Sequence, residues 1–293
     1  MNCRICNSDN LALVIDLGMQ PWCNHFLTKD ELGQEPYYPL RVLYCNECCT
    51  AQLDYTVKKE IMFGNHTYLS GVTKSLSENF KKIANEVHSR FNNFNTRQSI
   101  LDIGSNDGTQ LKHYIDLGWD VLGVESSTKT AQIAVNSGVP TLNAFFNLKT
   151  MEGIGKKFNV INAAGVFFHL EELHSVTAGI KFGLEKDGVF VVQFLYMKSI
   201  MENDAFDQIY HEHLLYYTLQ TIQVLLKQYE LELFDAYLSP MHGGQMIGFA
   251  GHTGQYQVTQ RLQELIKIEE QSGCNYIDAY MKFSDRIKQI KIE

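Results

Sequence analysis

The sequence predicts an α/β fold, a doubly wound parallel sheet preceded by a small cysteine-rich module. Three observations predict it. Strand-like apolar runs at 99–104, 119–125, 159–164 and 188–195 each lead into a turn or helix signal, the alternation expected when helices cross over between parallel strands. The first run breaks at Gly104-Ser105-Asn106-Asp107-Gly108 and resumes as a helical pattern at Thr109, so strand, turn and helix start make a ligand cradle. Ahead of them, Cys3-x-x-Cys6 and Cys45-x-x-Cys48 each set two thiolates on a tight turn.

Taken in order, residues 1–55 read as a metal-binding module. Four sulfurs can surround one tetrahedral zinc, and four sulfur ligands leave no place for a reactive water, so the zinc is structural. Two unrelated Cys-x-x-Cys turns, or two disulfides, are the competing reading, the latter disfavoured in a reducing cytosol. Cys23, Cys49 and Cys274 are left over, Cys49 beside a ligand for which it could be mistaken and Cys23 and Cys274 as small hydrophobes rather than nucleophiles. Residues 56–97 read as a helical arm, with apolar positions at helical spacing from Lys58 to about Phe94. The α/β domain occupies 98–254, where Leu231–Leu238 and Gln245–Ala250 can close the sheet as an antiparallel hairpin after a helix at Leu219–Gln228. The last segment, 255–293, reads as one long helical stretch from Thr259 to Ile292.

The cradle specifies its ligand by what it lacks. Gly104 and Gly108 let the backbone come close, while Ser105, Asn106 and Asp107 offer polar groups for an amino acid or ribose. Asp102 stands at the end of the strand. Glu125 ends the next strand, where an acid accepts both hydroxyls of an adenosine ribose. The loop has the spacing Gly-x-x-x-Gly, without the Gly-x-Gly-x-x-Gly that seats a dinucleotide pyrophosphate. S-adenosylmethionine, which carries no phosphate, fits this better than NAD.

Composition limits the alternatives. The chain has 293 residues, 45% of them hydrophobic, and a net charge of −8. That balance argues against nucleic acid or an anionic membrane as the main partner. No apolar run reaches a membrane span and no signal peptide opens the chain, so a cytoplasmic location is expected. The tripeptide Asn65-His66-Thr67 matches a glycosylation acceptor and carries no weight there.

Together the motifs resemble the sugar C-methyltransferases, zinc-binding enzymes that methylate C3 of nucleotide-linked 4-keto deoxysugars. The resemblance rests on the two cysteine knuckles, Asp16-Leu17-Gly18-Met19-Gln20-Pro21, Tyr68-Leu69-Ser70-Gly71, the 101–108 cradle, Ala205-Phe206-Asp207-Gln208-Ile209-Tyr210-His211-Glu212-His213-Leu214, and His242-Gly243-Gly244. It implies a Rossmann-like class I methyltransferase sheet, S-adenosylmethionine as cofactor, structural zinc, and a small nucleotide sugar as partner, in a monomer or homodimer. It also implies that a further C-terminal α/β unit is missing, making 255–293 the helix of a truncated substrate domain. After His242-Gly243-Gly244, Gln245-Met246-Ile247 stands where relatives carry a Ser-Leu-Arg-like run.

The chemistry of the 210–213 run follows from its residue types. A carbon becomes nucleophilic when a base removes a proton alpha to a ketone while a donor stabilises the enolate oxygen. His213 is the expected base, with Glu212 and Tyr210 orienting the substrate or polarising its keto oxygen. His211 is the runner-up; on a strand or extended loop residues two apart share a face, whereas on a helix they diverge and only one can point into the site. The resemblance adds His169, preceded by Phe168 where relatives carry an acid, and Tyr68, with His66 where relatives carry a first tyrosine. A methyltransferase for another small keto substrate, a non-catalytic scaffold that keeps the cofactor site, and an NAD oxidoreductase are the alternatives. Binding of NAD but not S-adenosylhomocysteine would single out the last.

Overall fold

The computed structural model describes residues 1–24, 26–64, 68–91 and 97–292. The glycosylation tripeptide, His66 and Phe94 lie outside the described residues.

The N-terminal sheet runs through β1 (Leu11–Pro21), β2 (Tyr37–Cys45) and β3 (Ala51–Leu53), antiparallel throughout. In β2 the alternation of strand geometry puts Leu40, Val42 and Tyr44 inside and leaves Arg41 exposed. The arm that follows is not one helix. It consists of α1 (Lys59–Phe63), a single 3-10 turn at Ser70–Val72, and α2 (Lys74–Arg90). Backbone N–H groups of Ser70 and Gly71 donate to the side chains of Asn106 and Asp107, so tertiary hydrogen bonds to the cradle replace helical ones at this point.

The main domain proceeds through β4 (Ser99–Ile103), α3 (Thr109–Asp116), β5 (Asp120–Glu125), α4 (Thr128–Asn136), β6 (Thr141–Asn143), α5 (Leu148–Ile154), β7 (Phe158–Ala164), α6 (Leu173–Gly183), β8 (Leu184–Leu195) and α7 (Met197–Glu202). Then come β9 (Leu215–Tyr216), α8 (Leu219–Lys227), β10 (Leu231–Ser239), β11 (Gln245–His252), α9 (Gln260–Ser272) and α10 (Ile277–Ile292). The order across the large sheet is β10-β11-β8-β7-β4-β5-β6. Strands β4 to β8 pair in parallel, and β11 pairs antiparallel with both β8 and β10. This is the Rossmann-like class I methyltransferase sheet, closed by the hairpin expected of 231–250.

Helices cover both faces, so the central strands are apolar almost throughout. Val160, Ile161 and Ala163 of β7 and Phe190, Val191, Val192 and Phe194 of β8 are all buried. The strand order reverses beside β4, which neighbours β5 on one side and β7 on the other. Such a switch point opens a crevice at the strand C-termini, and the 104–108 cradle sits there.

Two features depart from the expected boundaries. Strand β9 pairs with β3, so a main-domain segment completes the N-terminal sheet. The C-terminal stretch is two helices, broken at Gly273, whose φ of +69° is a left-handed helix stop. Both helices pack inward. Tyr44 Oη donates to the Asn275 carbonyl at 2.7 Å, Tyr280 and Phe283 are fully buried, and the Glu269 carboxylate receives the Leu219 and Gln220 N–H groups at the start of α8. No described helix is long and apolar enough to cross a membrane.

Candidate active site

The cysteines form the first cluster. Both knuckles have the same backbone, in which the residue after the second cysteine returns its N–H to the first, Asn7 to the Cys3 carbonyl and Cys49 to that of Cys45. Asn7 and Cys49 take left-handed φ values of 62° and 65°, which turns each pair of thiols toward the other. The sulfurs of Cys3, Cys6, Cys45 and Cys48 lie within 4.8 Å of one another, with Cys3 to Cys48 at 3.5 Å and Cys6 to Cys45 at 3.6 Å. Tetrahedral zinc–thiolate bonds of about 2.3 Å require sulfurs roughly 3.8 Å apart, so the donor set fits the metal. Burial, ahead of hydrogen bonds from its neighbours, raises the Cys6 thiol to about 11, a penalty on the thiolate that a cation removes. Cys49 lies outside the cluster.

The second site is a cavity of about 1100 Å³ at the C-terminal ends of the central strands. Gly104, Asn106 and Glu125 reach its wall from β4 and β5. Gly104 has a φ of +67°, and a Cβ there would meet Val166 at 2.9 Å, so glycine is needed for both the turn and the close packing. Glu125 is held by the N–H groups of Asn106, at 3.0 Å, and Ser127, at 2.7 Å, one bond to each oxygen. This fixes the carboxylate at the mouth of the cradle, where ribose hydroxyls can reach its remaining lone pairs.

The other cradle residues shape the loop beneath and are absent from the cavity lining. Asp102 is buried and accepts from Asn162 Nδ2 at 2.6 Å. Burial, partly opposed by that bond, pushes its carboxyl up to about 7. Ser105 is buried, Asp107 receives Thr109 Oγ1 at 2.6 Å and the Gly71 N–H at 2.9 Å, and Gly108 caps α3 with a φ of +78°.

The opposite wall gathers Tyr68, His169, Tyr210, Glu212 and His213. The 210–213 segment is a tight turn, not a strand, with the His213 N–H bonded to the Tyr210 carbonyl at 2.9 Å. The two histidines therefore do not share a face. His213 lines the cavity, whereas His211 is only 1% exposed and packs against the ring of Tyr38 with centroids 5.8 Å apart.

Hydrogen bonding fixes the protons of the other two histidines. Nδ1 of His213 donates to the Gln208 carbonyl at 2.7 Å, and Nδ1 of His169 donates to the Glu212 carbonyl at 2.6 Å. A carbonyl can only accept, so each bond holds a proton on Nδ1 and leaves Nε2 as the nitrogen that can exchange one. The two rings lie 5.1 Å apart, and Tyr210 packs against His213 with ring centroids 3.9 Å apart and planes inclined at 41°. Burial first, then the nearby Glu212, raises the Tyr210 phenol far above its usual range, so it stays a hydrogen-bond donor.

Sequence reasoning did not anticipate three residues of the wall, Asn24, Gln193 and Gln245. Asn24 comes from the metal module and donates to Glu212 Oε1 at 3.0 Å. No local motif marks Asn24 or Gln193, which reach the cavity through a tertiary approach, and Gln245 is marked only as a departure from relatives after His242-Gly243-Gly244.

Comparison with known proteins accounts for most of the chain. The family model described as "Methyltransferase domain" matches residues 75–236. Those described as "Putative zinc binding domain" and "C-methyltransferase C-terminal domain" match 3–63 and 240–293. The C-methyltransferase NovU of Streptomyces niveus is 26% identical over 296 residues, covering 99% of this chain and 70% of that protein. Among solved structures, magnesium protoporphyrin IX methyltransferase from Synechocystis PCC 6803 superposes with a TM-score of 0.49 at 12% identity, covering 60% of this chain and 83% of that one. The CcbJ methyltransferase from Streptomyces caelestis gives 0.47 at 14%, covering 60% and 90%.

Proposed function

This chain belongs to the family defined by that methyltransferase domain, and from that premise we propose that it is an S-adenosylmethionine-dependent C-methyltransferase acting on C3 of a nucleotide-linked 4-keto deoxysugar. Its coarser part, C-methyl transfer, is supported by the match of 240–293 and by the similarity to NovU, which spans 99% of this chain and 70% of NovU. The finer part rests on one observation. The acid–base group His169, Tyr210, Glu212 and His213 faces the same cavity as Gly104, Asn106 and Glu125.

In this reading Glu125 accepts the ribose hydroxyls of the cofactor and the Gly104 turn gives its amino-acid end room. When bound, S-adenosylmethionine supplies an electrophilic methyl group. His213 Nε2 takes the proton from C3, the C–H electron pair moves into the enolate, and Tyr210, held as a neutral phenol, donates to the C4 oxygen. Glu212, tied to Asn24, orients the sugar, and Tyr68 and His169 bound the space beside it. Fixing carbon and methyl in line removes much of the entropic cost of transfer.

The test is incubation of the protein with S-adenosylmethionine and a panel of thymidine-diphosphate 4-keto deoxysugars, followed by mass spectrometry and carbon NMR. The expected product is heavier by one methylene with the new carbon on C3. A methyl on oxygen, or no product with any keto sugar while another small ketone is methylated, overturns the substrate assignment.

A further inference from the structure

We infer that Gln193 and Gln245 form a subsite in the cavity wall for a neutral hydroxyl of the methyl acceptor, an inference that rests on the sugar reading above. The two residues lie on adjacent antiparallel strands. Gln245 opens β11 opposite Leu195, and Gln193 stands opposite Ile247, so the glutamines are diagonal neighbours across the ladder and can share a face. Both line the cavity, yet they are only 4% and 2% exposed.

Their hydrogen bonding is incomplete in a way that defines a ligand. Gln193 Nε2 donates to Gln245 Oε1. Gln193 Oε1 is buried with no partner among the described residues, a state protein interiors seldom leave uncompensated. The Gln245 NH2 is not used by the bond between the two amides. The linked pair therefore offers one carbonyl oxygen and one NH2 group, and this holds whichever amide is taken as donor.

A hydroxyl answers both groups at once, donating to the oxygen and accepting from the nitrogen. A phosphate or carboxylate would set an anion against the carbonyl oxygen, and an ammonium would set its protons against the NH2. On the ladder Gln245 stands opposite Leu195 and Gln193 opposite Ala164, and both of these apolar residues also line the cavity. A ligand lacking the hydroxyl leaves the buried oxygen unpaired, which is how such a site rejects a deoxy analogue.

Titration calorimetry tests this with three proteins, wild type, Gln193→Leu and Gln245→Leu. The probes are S-adenosylhomocysteine, thymidine-diphosphate 4-keto-6-deoxyglucose, and its 2-deoxy and 3-deoxy analogues. The expected result is that wild type binds one of the deoxy analogues roughly tenfold more weakly than the parent sugar. Both variants bind the parent as weakly as that analogue, while S-adenosylhomocysteine affinity stays within twofold. Variants that keep wild-type affinity for the parent overturn the subsite alone. An equal loss for S-adenosylhomocysteine overturns it too, because the pair then serves the cofactor or the fold. Wild type that binds none of the sugars overturns the substrate assignment together with the subsite.

Discussion

Asn24 Nδ2 donates a 3.0 Å hydrogen bond to Glu212 Oε1 across 188 residues of chain. Asn24 sits in a left-handed turn, φ 66°, after β1, so the metal module sets one wall of the reaction cavity. Asn24→Ala removes a charge-assisted bond to a carboxylate that is only 3% exposed, worth about 2 kcal/mol. Methylation is expected to slow by about tenfold or more, with S-adenosylhomocysteine affinity unchanged. Steady-state kinetics beside calorimetry check the split.

Metal removal carries the same coupling further. Cys45 is fully buried and ends β2, and the sheet it belongs to takes β9 as its last strand, two residues beyond His213. Chelation, or Cys45→Ser, is expected to unfold the N-terminal sheet, displace Glu212 and His213, and abolish turnover. Because β4 and β5 lie in the other sheet, S-adenosylhomocysteine binding is expected to survive within a few-fold. Zinc content, melting temperature and binding measured on one sample decide it.

Asp102 gives stability a defined pH dependence. Its carboxyl is raised from 3.8 to about 7 by burial, so the folded chain keeps a proton that the unfolded chain releases. Stability is therefore lost as pH rises from about 4 to 7, by on the order of 1 kcal/mol per unit from this group. Asp102→Asn keeps an acceptor for Asn162 and cannot ionise. Its melting temperature is expected to gain on wild type between pH 4 and 7 and hold that gain at pH 8, as scanning calorimetry across the range would register.

Glu269 ties the C-terminal helices to the rest of the molecule. It is 2% exposed and receives the N–H groups of Leu219 and Gln220, Tyr196 Oη, and Asn275 Nδ2, at 2.7 to 3.0 Å. Glu269→Ala orphans four donors and is expected to cost about 3 kcal/mol or more, read as a lowered urea midpoint with an unchanged slope.

Much of this was legible in the sequence because it is local. The cysteine spacing, the Gly104 turn and the acid at Glu125 follow from chemistry within a few residues. The hairpin of 231–250 followed from apolar alternation around a glycine turn. The break in the arm at Ser70 was hidden, since it depends on Asn106 and Asp107 arriving from another element. Periodicity alone could not separate α9 from α10 either, although Gly273 was the available signal. For His211 and His213 the missing fact was the backbone, because a turn and a strand send residues two apart in different directions. Asn24 and Gln193 had no motif to betray them, and Gln245 was visible only as a departure after His242-Gly243-Gly244.

The central claim is that His213 removes the C3 proton, and solvent exchange tests it most directly. Thymidine-diphosphate 4-keto-6-deoxyglucose is incubated in heavy water with the protein and S-adenosylhomocysteine, so that no methyl can be transferred, and deuterium at C3 is followed by proton NMR. Wild type and His211→Asn are expected to exchange C3 with the same stereochemistry, and His213→Ala is expected to fall to the uncatalysed rate while still binding S-adenosylhomocysteine. Undiminished exchange in His213→Ala would contradict the account and assign the base to another residue.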